Sequence, residues 1–156
     1  MSGPVLIAYD ATPASAKAIR EGATLLAGRP GLVLVVWKPR LAFDAIALPT
    51  SGIGLPAAPL DIRATLEAED HLYDAARRAA EHGAQLAREH GVDAQPLVVA
   101  DEPEIGVDET ISTVASERGA QAVVVGGHAH GPIVGAIVRG VIKRAPCPVV
   151  VVRDRP

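Results

Sequence analysis

Five short runs of apolar residues, rich in valine, leucine and isoleucine, are spaced along the chain. None of them alternates apolar with polar positions, as a strand with one solvent-exposed face would. Continuous β-branched runs of this length predict strands that are covered on both faces, which is typical of a parallel sheet. The runs occupy residues 5–9, 32–37, 96–100, 122–126 and 148–152.

Helical patterns lie between these runs. Thr12 is a suitable N-cap and Pro13 a suitable first residue for a helix that ends near Gly28. Because strands that alternate with helices form right-handed βαβ units, the pattern predicts an α/β fold with a parallel sheet. A helix at about 64–90 carries an apolar stripe of Leu72, Ala76, Ala79, Gly83 and Leu86. Two shorter helices follow, one with Val107, Ile111 and Val114 that stops at Gly119, the other at about 132–144.

The chain length of 156 residues suits a single domain, residues 1–156. Apolar residues make up 49% of it and aromatic residues only 3%, so the core must consist of small aliphatic side chains. Residues 38–63 depart from the pattern, because they are rich in proline and glycine and show no periodicity. A connection of this length is typical of a functional flap or a partly disordered segment.

Charge and cysteine content exclude several classes of function. The formal net charge is −3 and no basic stripe is present, which argues against nucleic-acid and anionic-membrane partners. No apolar run reaches the roughly 18 residues that span a bilayer, and the N-terminus lacks a basic region before its apolar stretch. The single cysteine, Cys147, cannot form an intramolecular disulfide, which indicates a reducing, cytoplasmic location.

Several motifs, taken in chain order, resemble the universal stress protein family. They are VLIAYDATPASAKAI, LVLVVW, VVADEP, VVVGGHAHG and APCPVVVV, and together they cover nearly the whole chain apart from residues 38–63. The resemblance implies a flavodoxin-like sheet of five parallel strands, in the order 3-2-1-4-5, with helices on both faces. It also implies a homodimer formed through the last strand, residues 148–152.

The resemblance implies an adenine-nucleotide site beyond the carboxyl ends of the strands, where open α/β sheets bind ligands. ATP, with Mg²⁺, is the ligand to expect from nucleotide-binding members. Val36 would flank the base, and the loop that begins at Gly126 would hold the phosphates. The adenosine side would consist of Ala8, Asp10, Ala11 and Thr12, and the phosphate loop would add Gly127, His128, His130 and Gly131.

The phosphate motif of the family is incomplete in this chain. In the family a glycine is followed after two residues by a second glycine, and after nine more by Gly-Ser or Gly-Thr. Gly126 matches the first glycine, Ala129 replaces the second, and the interval to APCP is about four residues short, close to one helical turn. The final pair is either Gly135-Ala136 or Gly140-Val141, and neither has a hydroxyl. Because a hydroxyl bound to a charged phosphate contributes about 1.5–3 kcal/mol, the nucleotide site is predicted to be altered or lost.

Other residues with reactive or charged side chains have structural and functional interpretations. Asp10 either binds the ligand or closes an Asx-type turn before the first helix, and the two roles are compatible. His128 and His130 are solvated loop residues, phosphate contacts, or metal ligands that would need a third partner. Cys147, between two prolines, is predicted to be a buried and inert thiol, since no lysine or histidine adjoins it.

The long predicted helix also has a polar face. Glu67 and His71 are spaced as a surface pair on it. The same face is predicted to carry other solvated side chains, namely Arg77, Arg78, Glu81 and His82. These residues are expected to support the helix rather than to take part in chemistry.

Three classes of function remain after these observations. The first is a stress-response protein that acts by dimerisation and by binding a ligand or partner, without catalysis. The second is an ATP-binding switch that uses rearranged loop contacts from Gly127, His128, His130 and Gly131. The third, a slow ATPase or phosphotransferase, is disfavoured because Val141 and Ile142 stand where a P-loop requires lysine and a hydroxyl residue.

Overall fold

Strands and helices alternate along the chain in the computed structural model, which describes residues 3–39, 62–128 and 132–154. Of the connection expected at 38–63, residues 40–61 lie outside this described part. The strands are β1 Val5–Ala8, β2 Pro30–Trp37, β3 Asp93–Ala100, β4 Ala122–His128 and β5 Val149–Asp154. The helices are α1 Pro13–Leu26, α2 Ile62–Glu89, α3 Val107–Glu117 and α4 Pro132–Arg144. Each predicted apolar run forms a strand, and β4 continues two residues beyond its predicted end.

All strand pairs in the sheet are parallel, and their order is β3-β2-β1-β4-β5. This confirms the prediction of a flavodoxin-like sheet. The chain winds in one direction from β1 to β3 and in the other from β1 to β5. The order therefore reverses between β1 and β4, and the carboxyl ends of these two strands diverge there to leave a crevice.

Two apolar clusters cover the two faces of the sheet. Val5 and Ile7 of β1 face α1 and α2, whereas Leu6, between them, faces α3 and α4. All three side chains are completely buried. Because both faces of the sheet are covered by helices, its strands are apolar at successive positions, which explains the absence of alternation in the sequence.

The N-terminus of α1 has the predicted cap. Thr12 has extended backbone angles, and its Oγ1 accepts a hydrogen bond from the Ser15 backbone N–H at 3.3 Å. Pro13 is the first helical residue, where its missing N–H costs nothing. This cap fixes the direction in which α1 leaves the carboxyl end of β1.

The buried stripe of α2 differs in part from the predicted one. It is centred on Ala76, Ala80, Ala84 and Ala87, and Leu72 lies beside it with 36% of its surface exposed. Gly83 belongs to the stripe for a steric reason. A Cβ at this position would lie 2.7 Å from Cδ1 of Tyr9 and 2.8 Å from Cγ1 of Val33, so only glycine allows the helix to approach the sheet this closely.

The ion pairs on the polar face of α2 correct one sequence-based expectation. Glu67 pairs with Arg63, one turn earlier, at 3.2 Å, rather than with the predicted partner His71. Arg77 bridges towards Glu81 at 3.7 Å, as expected for a solvated face. In the described part of the chain, no helix has both the length and the apolar character needed to cross a membrane.

Candidate functional site

A cleft of about 280 Å³ lies at the carboxyl ends of β1, β2 and β4, where the strand order reverses. Five of the predicted site residues line it: Ala8, Asp10, Thr12, Val36 and Gly126. They come from three separate segments of the chain, and the parallel sheet brings them together because its strands end at the same edge. The cleft is therefore the candidate functional site.

Most of the cleft wall is apolar, and the sequence motifs did not identify this part. Its additional residues are Tyr9, Ser15, Leu34, Lys38, Val107, Ile111, Val125, Ile137 and Val138. The sequence placed Val107 and Ile111 on a predicted helix and in no site. A helix that reaches the edge of the sheet buries some of its apolar residues against the strands and leaves others to line the cleft. Both groups follow the same helical period, so the sequence pattern cannot distinguish them.

Asp10 organises the polar end of the cleft. Its Oδ1 accepts hydrogen bonds from the Thr12 backbone N–H at 3.0 Å and from Thr12 Oγ1 at 2.5 Å. Ser15 Oγ donates to the Thr12 carbonyl oxygen at 3.0 Å and accepts from the Asp10 backbone N–H at 3.3 Å. The Asx-turn interpretation of Asp10 is thus observed, and it holds an exposed carboxylate at the mouth of the cleft.

Ala11 lies in the turn between β1 and α1 and does not line the cleft. Its φ of 62° is in the left-handed region, which residues other than glycine rarely adopt. Such a conformation costs about 1–3 kcal/mol and persists only where the surrounding contacts enforce it. Here the hydrogen bonds of Asp10 and Thr12 on either side hold the backbone in place.

Gly126 and Gly127 belong to β4 rather than to the phosphate loop that the sequence predicted to begin there. They pair with Val152 and Arg153 of β5, and this pairing extends the strand to His128. A Cβ on Gly126 would lie 2.8 Å from the carbonyl oxygen of Ala14, in the first turn of α1. Gly126 is therefore required for packing, although its backbone also lines the cleft. The side chain of His128 and all of His130 and Gly131 lie outside the described structure.

The two proposed positions of the final motif pair are in different environments. Gly135 is in the first turn of α4 with open space around it, and Ala136 is exposed, one residue before the cleft-lining Ile137. Neither of the two lines the cleft itself. Gly140 instead packs against the carboxylate of Asp108 in α3, and Val141 is completely buried. The Gly140-Val141 pair therefore lies in the helix–helix interface and away from the cleft.

Asp108 of α3 forms an ion pair with α4. Its Oδ2 accepts a hydrogen bond at 2.7 Å from Nη1 of Arg144, in the last turn of α4. The carboxylate occupies the space that a side chain at Gly140 would fill. This contact helps to position Ile137 and Val138, about two turns before Arg144 in α4, at the wall of the cleft.

Tyr9 connects the cleft to α2. Its side chain is 5% exposed, and its hydroxyl lies 2.9 Å from Nδ1 of His82. His82 is exposed, as predicted for the polar face of α2, but the sequence did not predict its contact with Tyr9. Burial raises the pKa of Tyr9, the charge of Asp10 raises it further, and Arg20 opposes the change.

Cys147 and the possible metal ligands are the remaining chemical candidates among the described residues. Cys147 is partly exposed rather than buried, and partial burial raises the pKa of its thiol, which makes the thiolate less available. Within residues 3–39, 62–128 and 132–154, no group of three histidine, cysteine, aspartate or glutamate side chains could hold a metal ion.

The family model described as "Universal stress protein family" matches residues 1–153. The chain belongs to this family. The comparison with curated protein sequences found no significant match.

Solved structures of universal stress proteins have the same fold. The protein from Archaeoglobus fulgidus is 20% identical, with 97% of this chain and 98% of that chain covered and a TM-score of 0.66. A structure of the A. fulgidus protein in complex with dAMP is 20% identical, covers 96% of both chains and has a TM-score of 0.60. An Arabidopsis thaliana family protein with AMP bound is 16% identical, covers 98% and 92%, and has a TM-score of 0.62.

Replacement of Tyr9 by phenylalanine tests the contact with His82. At neutral pH we expect Tyr9→Phe to lower the free energy of unfolding by about 0.5–1.5 kcal/mol, because one hydrogen bond is lost. The raised pKa of Tyr9 stabilises the native protein below pH 10, and this contribution is lost as pH rises through the folded-state pKa. The difference in the free energy of unfolding between the native protein and Tyr9→Phe should therefore decrease above pH 10.

Urea denaturation between pH 7 and pH 11 measures both effects. Tyr73→Phe is the matched control, because Tyr73 is 45% exposed. A pH dependence that is identical for the native protein and Tyr9→Phe would contradict the assignment.

Proposed function

We propose that this protein binds an adenine nucleotide in the cleft and acts by association with a second copy or another partner, without catalysing a reaction. The observation that carries the proposal is the convergence of Ala8, Asp10, Thr12, Val36 and Gly126 on one cleft at the strand-order reversal. Family members of known structure hold dAMP and AMP, which supports an adenine ligand here. The single cysteine supports a cytoplasmic location.

The chemistry of the cleft suits a nucleoside. Val36, Val107 and Val138 line the cleft and are partly exposed, so they supply apolar surface on which a flat base can pack, and ligand sites are generally apolar with a few fixed polar groups. Asp10 supplies the polar group at one end. A carboxylate held by an Asx turn accepts hydrogen bonds, so it suits the ribose hydroxyls or the exocyclic amine of the base.

The phosphate side of the site is altered in this proposal. Ala136 supplies no hydroxyl near the start of α4, and Gly126 is occupied in packing against α1. Loss of a hydroxyl donor to phosphate weakens binding by roughly 1.5–3 kcal/mol. We therefore propose that the ligand is held mainly through its nucleoside part.

An enzymatic role has little support in the site. In P-loop enzymes a lysine and a hydroxyl residue follow the loop glycine directly and hold the phosphates and the magnesium ion. The corresponding residues, Val141 and Ile142, are apolar, and Val141 is completely buried. We therefore propose that ligand binding changes the association of the protein with a second copy or another partner.

The association that we propose is a homodimer through β5, within residues 148–152. This strand is at the edge of the sheet and carries half-buried valines. Beside it, a depression of about 410 Å³ between β5 and α1 is lined by apolar and charged residues, and Leu25 there is 72% exposed. A second copy related by two-fold symmetry would pair with the edge strand and cover this surface.

Titration of the protein with AMP by isothermal calorimetry tests the nucleotide site. We expect Asp10→Ala to weaken AMP binding roughly 10- to 100-fold, because a charged hydrogen-bond acceptor is lost. Asp10→Asn keeps the oxygen that accepts the hydrogen bonds of the turn, so it should weaken AMP binding less than Asp10→Ala does. Asp93→Ala, an exposed aspartate at the start of β3 and so at the amino-end edge of the sheet, is the control. Equal affinities in all four proteins would refute the site.

Restoration of the missing hydroxyl tests the altered phosphate side. Ala136→Ser should strengthen ATP binding about tenfold or more, because the hydroxyl can donate to a phosphate oxygen, and it should leave adenosine binding unchanged. Ala136→Val is the matched control, since it adds a side chain of similar size without a donor. An equal response to serine and valine would show that the phosphates do not reach this turn of α4.

Sedimentation equilibrium tests the dimer. We expect the native protein to sediment as a dimer, and Leu25→Lys to weaken the dimer about tenfold by placing a charge on the surface beside β5. Leu66→Lys is the matched control, because Leu66 is also an exposed leucine, 54% accessible, but lies on α2. A monomeric native protein would exclude this part of the proposal.

A further inference from the structure

The described lining of the cleft contains two charged residues, Asp10 and Lys38. Their charges are opposite, so the lining carries almost no net charge. The remaining lining residues are apolar or neutral, and most belong to the apolar wall. A ligand with several negative charges would therefore meet one cation and one anion inside the cleft.

The approach to the cleft is acidic on the side of α3. The connection from β3 and the first turn of α3 cover residues 101–109, and this stretch has no lysine or arginine. Val107, within it, is part of the cleft wall. The stretch contains five carboxylates, those of Asp101, Glu102, Glu104, Asp108 and Glu109.

The cations on α4 offset this charge only in part. Arg144 is engaged with Asp108 at 2.7 Å. Arg139 and Lys143 are exposed and do not line the cleft. Asp108 and Glu109 directly follow the cleft-lining Val107 in the chain. Their charges oppose the approach of a polyphosphate on this side, because charges about 8–10 Å apart still interact at physiological ionic strength.

We propose that the cleft selects nucleosides and nucleoside monophosphates against nucleoside triphosphates, and that Lys38 is the residue that allows it to accept a single phosphate. Lys38 directly follows β2, two residues after the cleft-lining Val36, and is itself part of the described cleft lining. The inference rests on the proposed function, because it takes an adenine ligand in this cleft as its starting point.

The dimensions of the cleft agree with this selection. Its volume of about 280 Å³ is at the lower end of the range of roughly 300–1,000 Å³ that is typical of ligand sites. Ile137 and Val138 close the side of α4 with apolar surface rather than hydrogen-bond donors. Among the described residues of this wall, Ile137 and Val138 offer a triphosphate chain no side-chain hydrogen-bond donor.

Calorimetric titrations of the full chain with adenosine, AMP and ATP test the selection. EDTA is included so that no metal ion neutralises the phosphates. At about 0.05 M salt we expect AMP to bind up to about fivefold more tightly than adenosine, and ATP at least about fivefold more weakly than AMP. At about 0.5 M salt these differences should shrink, because the charges are screened, whereas the affinity for adenosine should stay constant.

Substitution of Lys38 tests its role. Lys38→Gln should weaken AMP binding about two- to fivefold and leave adenosine binding within about twofold, since only the phosphate interacts with the ammonium group. Lys143→Gln is the matched control, because Lys143 is an exposed lysine of α4 that does not line the cleft. An equal loss for adenosine and AMP would overturn the role of Lys38.

The remaining outcomes separate this inference from the proposed function. If ATP binds as tightly as AMP or more tightly, the selection against triphosphates is wrong and the adenine-nucleotide site stands. If none of the three compounds binds, the proposed function fails, and the inference fails with it.

Discussion

The close approach of α1 to β4 is the contact on which the rest of the site depends. The backbone of Ala14 lies so near to Gly126 that a Cβ there would come within 2.8 Å of the Ala14 carbonyl oxygen. This approach brings the N-terminus of α1, with Asp10 and Thr12, to the point where β1 and β4 diverge. The approach is possible because Gly126 has no side chain between β4 and the first turn of α1.

The helices on the two faces of the sheet contribute differently to the site. On one face, alanines and Gly83 of α2 allow tight packing, and the ring of Tyr9 fills the space above Gly83. On the other face, α3 and α4 extend their apolar residues past the sheet edge and form the cleft wall. The hydrogen bond between Tyr9 and His82 joins the packed face to the backbone segment that carries Asp10.

The cleft and its mouth differ in their distribution of charged residues. Its cleft combines an apolar wall with one carboxylate and one ammonium group, and acidic residues surround one side of the mouth. In the proposed function such an arrangement would contribute more to the selection among ligands than to affinity, because unfavourable charge pairs exclude some ligands while an apolar surface accepts any flat base of the right size. The family fold supplies the position of the site, and the local charges set its chemistry.

The sequence alone determined the strands, the helices, their order in the sheet and the cap at Thr12, because these depend on local periodicity and on recognisable motifs. The family resemblance of its motifs also led to Asp10, Val36 and Gly126, and all three line the cleft. The sequence did not determine where the stripe of α2 is centred, that Glu67 pairs with Arg63, or that His82 contacts Tyr9. The tertiary structure also decided that Gly126 and Gly127 continue β4, that Gly140 faces Asp108, and that Lys38 and Ile137 line one cleft with Asp10. The physical reason is that these are distances between segments far apart in the chain, and only the packing of helices on the sheet sets them.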